Sequence, residues 1–161
     1  MNDAATTATA TATSKALRVV LIVLGTVSAF VAANVAFGGL ETLGLQGPTD
    51  YVRVTDQDAY LIRDSHAHYY GGVYLALGIF LIYAATDVRR FRQTLNVVFA
   101  MIFAGGLARL TQLEPDVTFG AELMASTAIE LVGAPLLAWW VSRSVRDART
   151  VPTRVTTVVA A

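Results

Sequence analysis

The sequence contains no cysteine and few charged residues, and both absences limit what the chain can be. Without cysteine there is no disulfide framework, thiolate metal site, iron–sulfur cluster or thiol nucleophile. Charged residues make up 15% of the 161 residues and hydrophobic residues 55%, whereas soluble domains carry about 25% charged and roughly 45–50% apolar residues. This balance, with a mean hydropathy of +0.54, excludes a wholly disordered chain and argues against a water-soluble globule.

The sequence also lacks a basic surplus and the short motifs of common enzyme classes. Its 12 lysines and arginines balance 12 aspartates and glutamates, whereas a nucleic-acid-binding protein carries an excess of basic residues. It contains no phosphate-binding Walker loop, glycine-rich dinucleotide motif, nucleophile elbow or His-Glu-x-x-His zinc motif. We therefore expect no nucleic-acid partner, no cofactor and no catalytic residues.

Histidine is scarce, since His66 and His68 are the two in the chain. Residues two apart on a helix point about 200° away from each other, and a haem held by two histidines across a membrane needs them on different spans. A buried b-type haem is therefore disfavoured. Asp64, His66 and His68 are weak candidates for an external zinc site, but they form no closed spacing motif, and we predict no metal site.

Four long apolar windows are present, at 17–37, 69–86, 93–112 and 123–141. Each is close to the 20 or so residues with which a helix crosses roughly 30 Å of hydrocarbon. Strands are excluded because an isolated strand in lipid leaves its backbone groups unpaired. Short links join the second window to the third and the third to the fourth, which is typical of antiparallel bundles. The sequence therefore predicts an all-α polytopic membrane protein, an antiparallel bundle of four transmembrane helices.

The segments outside these windows divide the chain into three regions. We expect a disordered Ala/Thr-rich tail over 1–16, the four-helix membrane domain over 17–141, and a basic cytoplasmic tail over 142–161. The first window has a basic start and a tolerable cleavage site at Val31–Ala33, so a cleaved signal peptide is the alternative for it. The apolar run continues past that site, which favours a retained span.

Lysine and arginine lie mostly on one side of the predicted membrane. Nine fall in the two tails and the second link: Lys15, Arg18, Arg89, Arg90, Arg92, Arg143, Arg146, Arg149 and Arg154. The opposite side has Arg53 and Arg63, together with eight acidic residues. Because cytoplasmic loops carry the excess of basic residues, we predict that both termini are cytoplasmic.

Two ionisable residues, Arg109 and Glu130, lie inside the third and fourth windows. At 1.5 Å per residue from the outer ends, Arg109 is roughly 7 Å and Glu130 roughly 12 Å deep. An ionisable group inside a span is functional or paired, and a short loop joins these windows, so we expect the two side chains to meet. Asn34 and Tyr74 reach the same outer layer, and Tyr70 lies one helical turn before Tyr74.

Two interpretations of this polar cluster stay open. In the first, Arg109 and Glu130 form an ion pair that fixes the register of the helices. In the second, the cluster opens to the periplasmic face and binds an anionic or hydrogen-bonding ligand on Arg109, while Glu130 tunes the site or carries a proton.

Small residues recur at helical spacing within the windows, which is typical of close helix packing in lipid. In the first two windows they are Gly25, Ala29, Ala33, Gly71, Gly72 and Gly78. In the fourth window Pro135 predicts a kink.

Three runs of the sequence carry a family resemblance: HYYGGVYLALGIFLIYAATDVRRFRQTL from His68, FAGGLARLTQL from Phe103 and AIELVGAPLLAWW from Ala128. They resemble the small bacterial membrane-protein family called domain of unknown function 4345. The family's signature residues match Tyr70, Gly71, Gly72, Gly105, Gly106, Arg109, Glu130 and Leu131. The resemblance covers roughly Leu17 to Val141 and implies a four-helix inner-membrane protein of unassigned activity. A weaker likeness is to DoxX-type four-helix membrane proteins, some of which are linked to redox modules.

Taken with this resemblance, the sequence predicts a small multi-pass protein of the bacterial inner membrane. We expect an accessory or ligand-binding bundle without catalytic chemistry of its own. One alternative is a redox-associated membrane enzyme subunit that uses a quinone or a lipid. A second is a small-solute transporter. It would have to be oligomeric, because four spans in one chain are few for alternating access. The expected partners are the lipid bilayer and either a second copy of the chain or a larger membrane complex.

Overall fold

A computed structural model describes residues 2–45, 55–112, 115–121 and 123–147, and every regular element within these ranges is helical. The long α-helices are α1 (Asn2–Gly38), α2 (Gln57–Ala84), α3 (Arg92–Arg109) and α6 (Ala134–Asp147), with the short helices α4 (Pro115–Thr118) and α5 (Met124–Ala128) between the last two. A 3₁₀ helix, Gly39–Leu45, follows α1 and is called the Gly39 turn below; a shorter one, Leu110–Gln112, follows α3. A π-helical segment, Ile129–Gly133, joins α5 to α6.

Within the described ranges, three helical stretches are long and apolar enough to cross a membrane: Lys15–Thr42, Gln57–Ala84 and Met124–Ser144. This confirms an all-helical protein with membrane-capable helices. The 18-residue helix α3 is not among the three. Its first residue is Arg92 and its last is Arg109, and these charges lower the hydropathy of an otherwise apolar segment.

Helix α1 starts earlier than the sequence suggests, because it begins at Asn2, whereas the sequence predicts a disordered tail over 1–16. Alanine has the highest helix propensity of all residues. An alanine-rich segment therefore continues a helix that the following apolar window has already nucleated. At the other end of the chain, residues 148–161 of the predicted basic tail lie outside the described residues.

Helix α2 also begins well before its predicted span at 69–86. The Asp56 carboxylate accepts hydrogen bonds from the backbone N–H groups of Asp58 and Ala59, both at 3.1 Å, and so caps the helix. The helix has 28 residues, about 42 Å at 1.5 Å per residue, which exceeds the roughly 30 Å of a hydrocarbon core. The first turns of α2 therefore have the length to project beyond the apolar layer.

The chain divides into two compact units. The first spans Ala16–Asp87, so it includes α1 only from Ala16 onward, and it is called the α1–α2 unit. The helices after Val88 belong to the second, called the α3–α6 unit. Each unit is described by itself.

In the α1–α2 unit the two helices meet through glycine. A Cβ atom added to Gly78 would lie 2.6 Å from the backbone nitrogen of Ala29, and one added to Gly25 would lie 2.7 Å from the carbonyl oxygen of Gly78. A Cβ on Gly71 would collide with the backbone of Ala36, whereas one on Gly72 would meet open space. The backbones are therefore in direct contact, which is how small residues hold helices together in lipid.

In the α3–α6 unit, hydrogen bonds at both ends show that α3 runs antiparallel to the π-helical segment and α6. Near the start of α3, Asn96 Nδ2 donates to Ser142 Oγ, near the end of α6, at 3.1 Å. At the end of α3, Arg109 bonds to Glu130, which precedes α6. Leu95 and Phe99 of α3 are fully buried and form part of the core.

Candidate functional site

Arg109 and Glu130 form a bidentate ion pair. Arg109 Nε donates to Glu130 Oε2 at 2.7 Å, and Nη2 donates to Oε1 at 3.0 Å. Such fork-like pairs combine two charge-assisted hydrogen bonds with a fixed relative orientation. The Glu130 side chain is 13% exposed and that of Arg109 is 37% exposed, so the acid is half-buried and the base reaches the surface of the protein.

The backbone around Glu130 departs from the α-helix. The N–H of Ala134 bonds to the C=O of Ile129, five residues earlier, which is the π-helical pattern. Pro135 follows directly and has no N–H to continue the ladder. The sequence predicts a kink at Pro135, and the structure has a π-helical segment just before it. Single-turn π segments occur frequently at functional sites, and this one carries the Glu130 carboxylate.

The position of Glu130 places a charge within a membrane-capable helix. It comes six residues after Met124, where that helical stretch begins, which is about 9 Å along the axis. Arg109 is the last residue of α3. The deeper, more buried charge is thus the glutamate, and the arginine reaches it from the end of the neighbouring helix.

Gly106 allows α3 to approach the π-helical segment. A Cβ on Gly106 would lie 2.8 Å from Glu130 Cβ and 3.0 Å from Leu131 Cδ2. Real Cβ atoms essentially never come as close as the first distance, so any side chain at this position pushes against the residue that carries the carboxylate.

We expect Gly106→Ala to lower the free energy of unfolding by about 1–2 kcal/mol, as overpacking does in a filled core. Gly133→Ala is the matched control in the same unit, because its Cβ would meet its nearest neighbour at an ordinary 3.7 Å. Thermal unfolding of the purified protein in detergent measures both. Equal midpoints for the two variants would contradict the close approach at Gly106.

The other residues of the predicted cluster belong to the α1–α2 unit. Asn34 is half-buried, and among the described residues its side-chain oxygen has no hydrogen-bond partner. Tyr70 and Tyr74 are exposed, and the Tyr70 ring stacks on that of His66 with centroids 6.5 Å apart. The structure thus brings Arg109 and Glu130 together and assigns Asn34, Tyr70 and Tyr74 to a different compact unit.

The weak metal candidates take part in other contacts. His68 Nδ1 lies 2.7 Å from the carbonyl oxygen of Ala36, and its Nε2 lies 3.4 Å from Asp64 Oδ2. His66 Nδ1 lies 2.7 Å from the carbonyl oxygen of Ile62. Across the described ranges no group of three or more histidine, cysteine, aspartate or glutamate residues is arranged to hold a metal ion.

Sequence reasoning missed the contact of Asp64 and His68 with the Gly39 turn. Asp64 Oδ1 accepts a hydrogen bond from the backbone N–H of Leu40 at 2.8 Å. The four-residue spacing of Asp64 and His68 is the signal in the sequence, because residues four apart are neighbours on a helix. The sequence predicts that α2 begins at 69, so Asp64 and His68 fall outside the predicted helix and their contact is not predicted.

Fold and site together define a helical protein with membrane-capable helices and a half-buried ion pair. A family model described as "Domain of unknown function (DUF4345)" matches residues 16–141. The chain belongs to this family, as its resemblance predicts. No curated protein and no solved structure matches the chain. The weaker likeness to DoxX-type proteins stays a prediction.

Proposed function

We propose that the protein is a four-span accessory or ligand-binding protein of the bacterial inner membrane, without catalytic chemistry of its own. The fourth span is α3, whose 18 residues extend about 27 Å, close to the thickness of a hydrocarbon core. Its apolar interior and its antiparallel packing beside a membrane-capable helix support this assignment. Its charged residues stand at its two ends, and Glu130 neutralises the one at the C-terminal end.

The orientation follows from basic residues at one end of the α3–α6 unit. Arg92 begins α3, and Arg143 lies next to Ser142, the partner of Asn96. Arg143 also lies over the Trp139 ring, 5.4 Å from its centroid. A basic cluster with tryptophan beside it is typical of the cytoplasmic interface of a membrane protein. This end therefore faces the cytoplasm, and the Arg109–Glu130 pair lies toward the periplasm.

The Arg109–Glu130 pair is the centre of the proposed binding site, and its geometry carries the proposal. The ligand is a membrane-soluble molecule whose headgroup is anionic or hydrogen-bonding, since arginine recognises such groups with a planar set of five N–H donors. Arg109 reaches the protein surface, and the half-buried Glu130 holds the guanidinium in one orientation. Intramembrane charges and π-helical segments are both common at functional sites.

Molecules that co-purify with the protein test this proposal. The wild type and the Arg109→Leu/Glu130→Leu double variant are purified in mild detergent, and bound lipids and quinones are extracted and quantified by mass spectrometry. The double variant replaces both partners of the pair by apolar residues, so neither of the two remains without the other. We expect one class of amphiphile to be depleted about tenfold in the double variant, which corresponds to ~1.4 kcal/mol of binding free energy.

Arg89→Gln is the control for a general loss of positive charge, because Arg89 is exposed in the link before α3. It should retain the wild-type complement of bound molecules. If the wild type and the double variant carry the same molecules in the same amounts, the pair does not bind a ligand and is structural. Absorbance of the same samples detects a chromophore, which would favour the redox-associated alternative.

A further inference from the structure

Two arginines, at the start of α3 and near the end of α6, lack a carboxylate partner within the described residues. Arg92 is the first residue of α3 and is half-buried, whereas Arg143 is exposed on α6. Neither forms a salt bridge with a described residue. Because arginine does not deprotonate in proteins, each guanidinium needs water or an anion from outside the described chain as its counterpart.

The contact between α3 and α6 brings these two arginines to the same end of the helix pair. Arg92 lies one helical turn before Asn96 and hence on the same face of α3. Asn96 Nδ2 donates to Oγ of Ser142, the residue directly before Arg143, at 3.1 Å. Because packed helix axes lie about 8–10 Å apart and arginine has a long side chain, one anionic group can contact both guanidinium groups.

The surrounding sequence leaves this end of the unit positively charged. Residues 88–108 and 131–146 contain arginines but no acidic residue. The first turn of α3 has neither an acidic residue nor a side-chain cap. The nearest acids along the chain are Asp87, before the link, and Asp147, the last residue of α6. The potential here is therefore complementary to an anion.

An exposed apolar stripe runs along α6 from Arg143. Trp139 and Leu136 lie four and seven residues before Arg143, which is the spacing of one helix face, and both are more than half exposed. The Arg143 guanidinium carbon lies 5.4 Å from the centroid of the Trp139 ring. A positive charge at the end of an apolar stripe matches an anionic headgroup that is followed by an acyl chain, which a free anion does not have.

We propose that Arg92 and Arg143 bind the phosphate of an anionic phospholipid, whose acyl chain lies along Trp139 and Leu136. Arginine suits this role because its planar set of N–H donors pairs with phosphate in bidentate geometry. The site stands at the opposite end of α3 from the buried ion pair, so it is separate from the ligand site proposed above. It rests on the same assignment of α3 as a membrane span.

Quenching of Trp139 fluorescence by brominated phospholipids tests the site. The chain has two tryptophans, so Trp140→Phe leaves Trp139 as the reporter. This protein is reconstituted in phosphatidylcholine vesicles that contain a small fraction of phosphatidylglycerol or of phosphatidylcholine, brominated close to the headgroup. We expect phosphatidylglycerol to bind beside Trp139 about tenfold more strongly, since each basic residue near a membrane surface strengthens binding to anionic lipid several-fold.

Arg92→Gln/Arg143→Gln should abolish this preference, so that the two brominated lipids quench alike. Arg89→Gln is the matched control, because it removes a positive charge from the link before α3 and should retain the preference. Inorganic phosphate should not reduce the preference more than sodium chloride at the same ionic strength. If it does, the site takes free phosphate and the assignment to a lipid is wrong.

Two further outcomes would overturn the proposal, and they differ from a failure of the ligand site at the ion pair. Equal quenching by the two lipids in the protein without the arginine substitutions would mean that Trp139 has only unselective contacts with the bilayer. Weak quenching by both would mean that this end of α6 does not contact lipid, which would contradict the membrane arrangement as well. Arg109→Leu/Glu130→Leu should retain the preference, whether or not the ion pair binds a ligand.

Discussion

Glu130→Ala is expected to lower the free energy of unfolding by about 3 kcal/mol, the lower end of the range for a fully buried ion pair, because this pair is half-buried. The substitution removes two charge-assisted hydrogen bonds from Arg109, at 2.7 and 3.0 Å. The guanidinium keeps its charge but loses this carboxylate, since arginine does not deprotonate in proteins. The loss lies at the lower end because 37% of the Arg109 side chain is exposed. Thermal or denaturant unfolding in detergent measures it.

The Arg109→Leu/Glu130→Leu double variant is the control for this loss. Apolar replacements of both partners remove the desolvation penalty together with the attraction, so we expect stability within about 1 kcal/mol of the wild type. A double-mutant cycle then gives a large coupling energy between the two positions. If the double variant is as unstable as the sum of the two single ones, the pair does not act as a unit.

Measuring both the stability and the bound molecules of the double variant distinguishes the two interpretations of the pair. If its role is only to fix helix register, the double variant recovers stability and its bound molecules stay those of the wild type. If Arg109 holds a ligand, the double variant recovers stability and still loses the ligand. The single substitutions do not distinguish the two, because a stranded charge disturbs both the fold and the site.

The meeting of Arg109 and Glu130 follows from sequence arithmetic alone. A charge inside a span needs a partner, and depth counted along each helix places both residues in the outer part of the predicted spans. The two depths differ by roughly 5 Å, which a long arginine side chain can bridge, and a short loop makes their helices neighbours. The π-helical segment is harder to predict from the sequence. Pro135 predicts that the backbone hydrogen bonds of the helix are interrupted, but it does not predict that the Ala134 N–H bonds to the carbonyl five residues earlier. Whether the backbone there is α-helical or π-helical depends on how the segment packs against α3.

Hydropathy windows give the apolar part of each helix but not its ends. The start of α2 depends on the carboxylate of Asp56, a local hydrogen-bonding signal that averaging over apolar residues does not detect. As a result, the sequence treats Asp64 and His68 as loop residues. Composition likewise predicts small-residue packing in α2, but it does not tell which of the adjacent glycines faces α1. That depends on the rotation of the helix.

Gly78→Ala tests that rotation, and we expect it to lower the free energy of unfolding by about 1–3 kcal/mol. The added Cβ would lie 2.6 Å from the backbone nitrogen of Ala29 and 2.8 Å from the carbonyl oxygen of Gly25. Backbone atoms cannot avoid the added Cβ by changing a rotamer, so α1 and α2 must move apart where they cross. The loss exceeds the roughly 0.5–1 kcal/mol that alanine gains over glycine within a helix.

Gly72→Ala is the matched control on the same helix, because a Cβ at Gly72 would meet nothing within 4 Å. It gains helix propensity without a clash, so we expect stability to stay equal or to rise by up to about 1 kcal/mol. Unfolding of both variants in the same detergent gives the comparison. Since the chain has no cysteine, a pair of introduced cysteines on α1 and α2 can carry spin labels, and their separation should increase in Gly78→Ala alone. A stable Gly78→Ala variant with an unchanged separation would mean that α1 and α2 do not cross at this glycine.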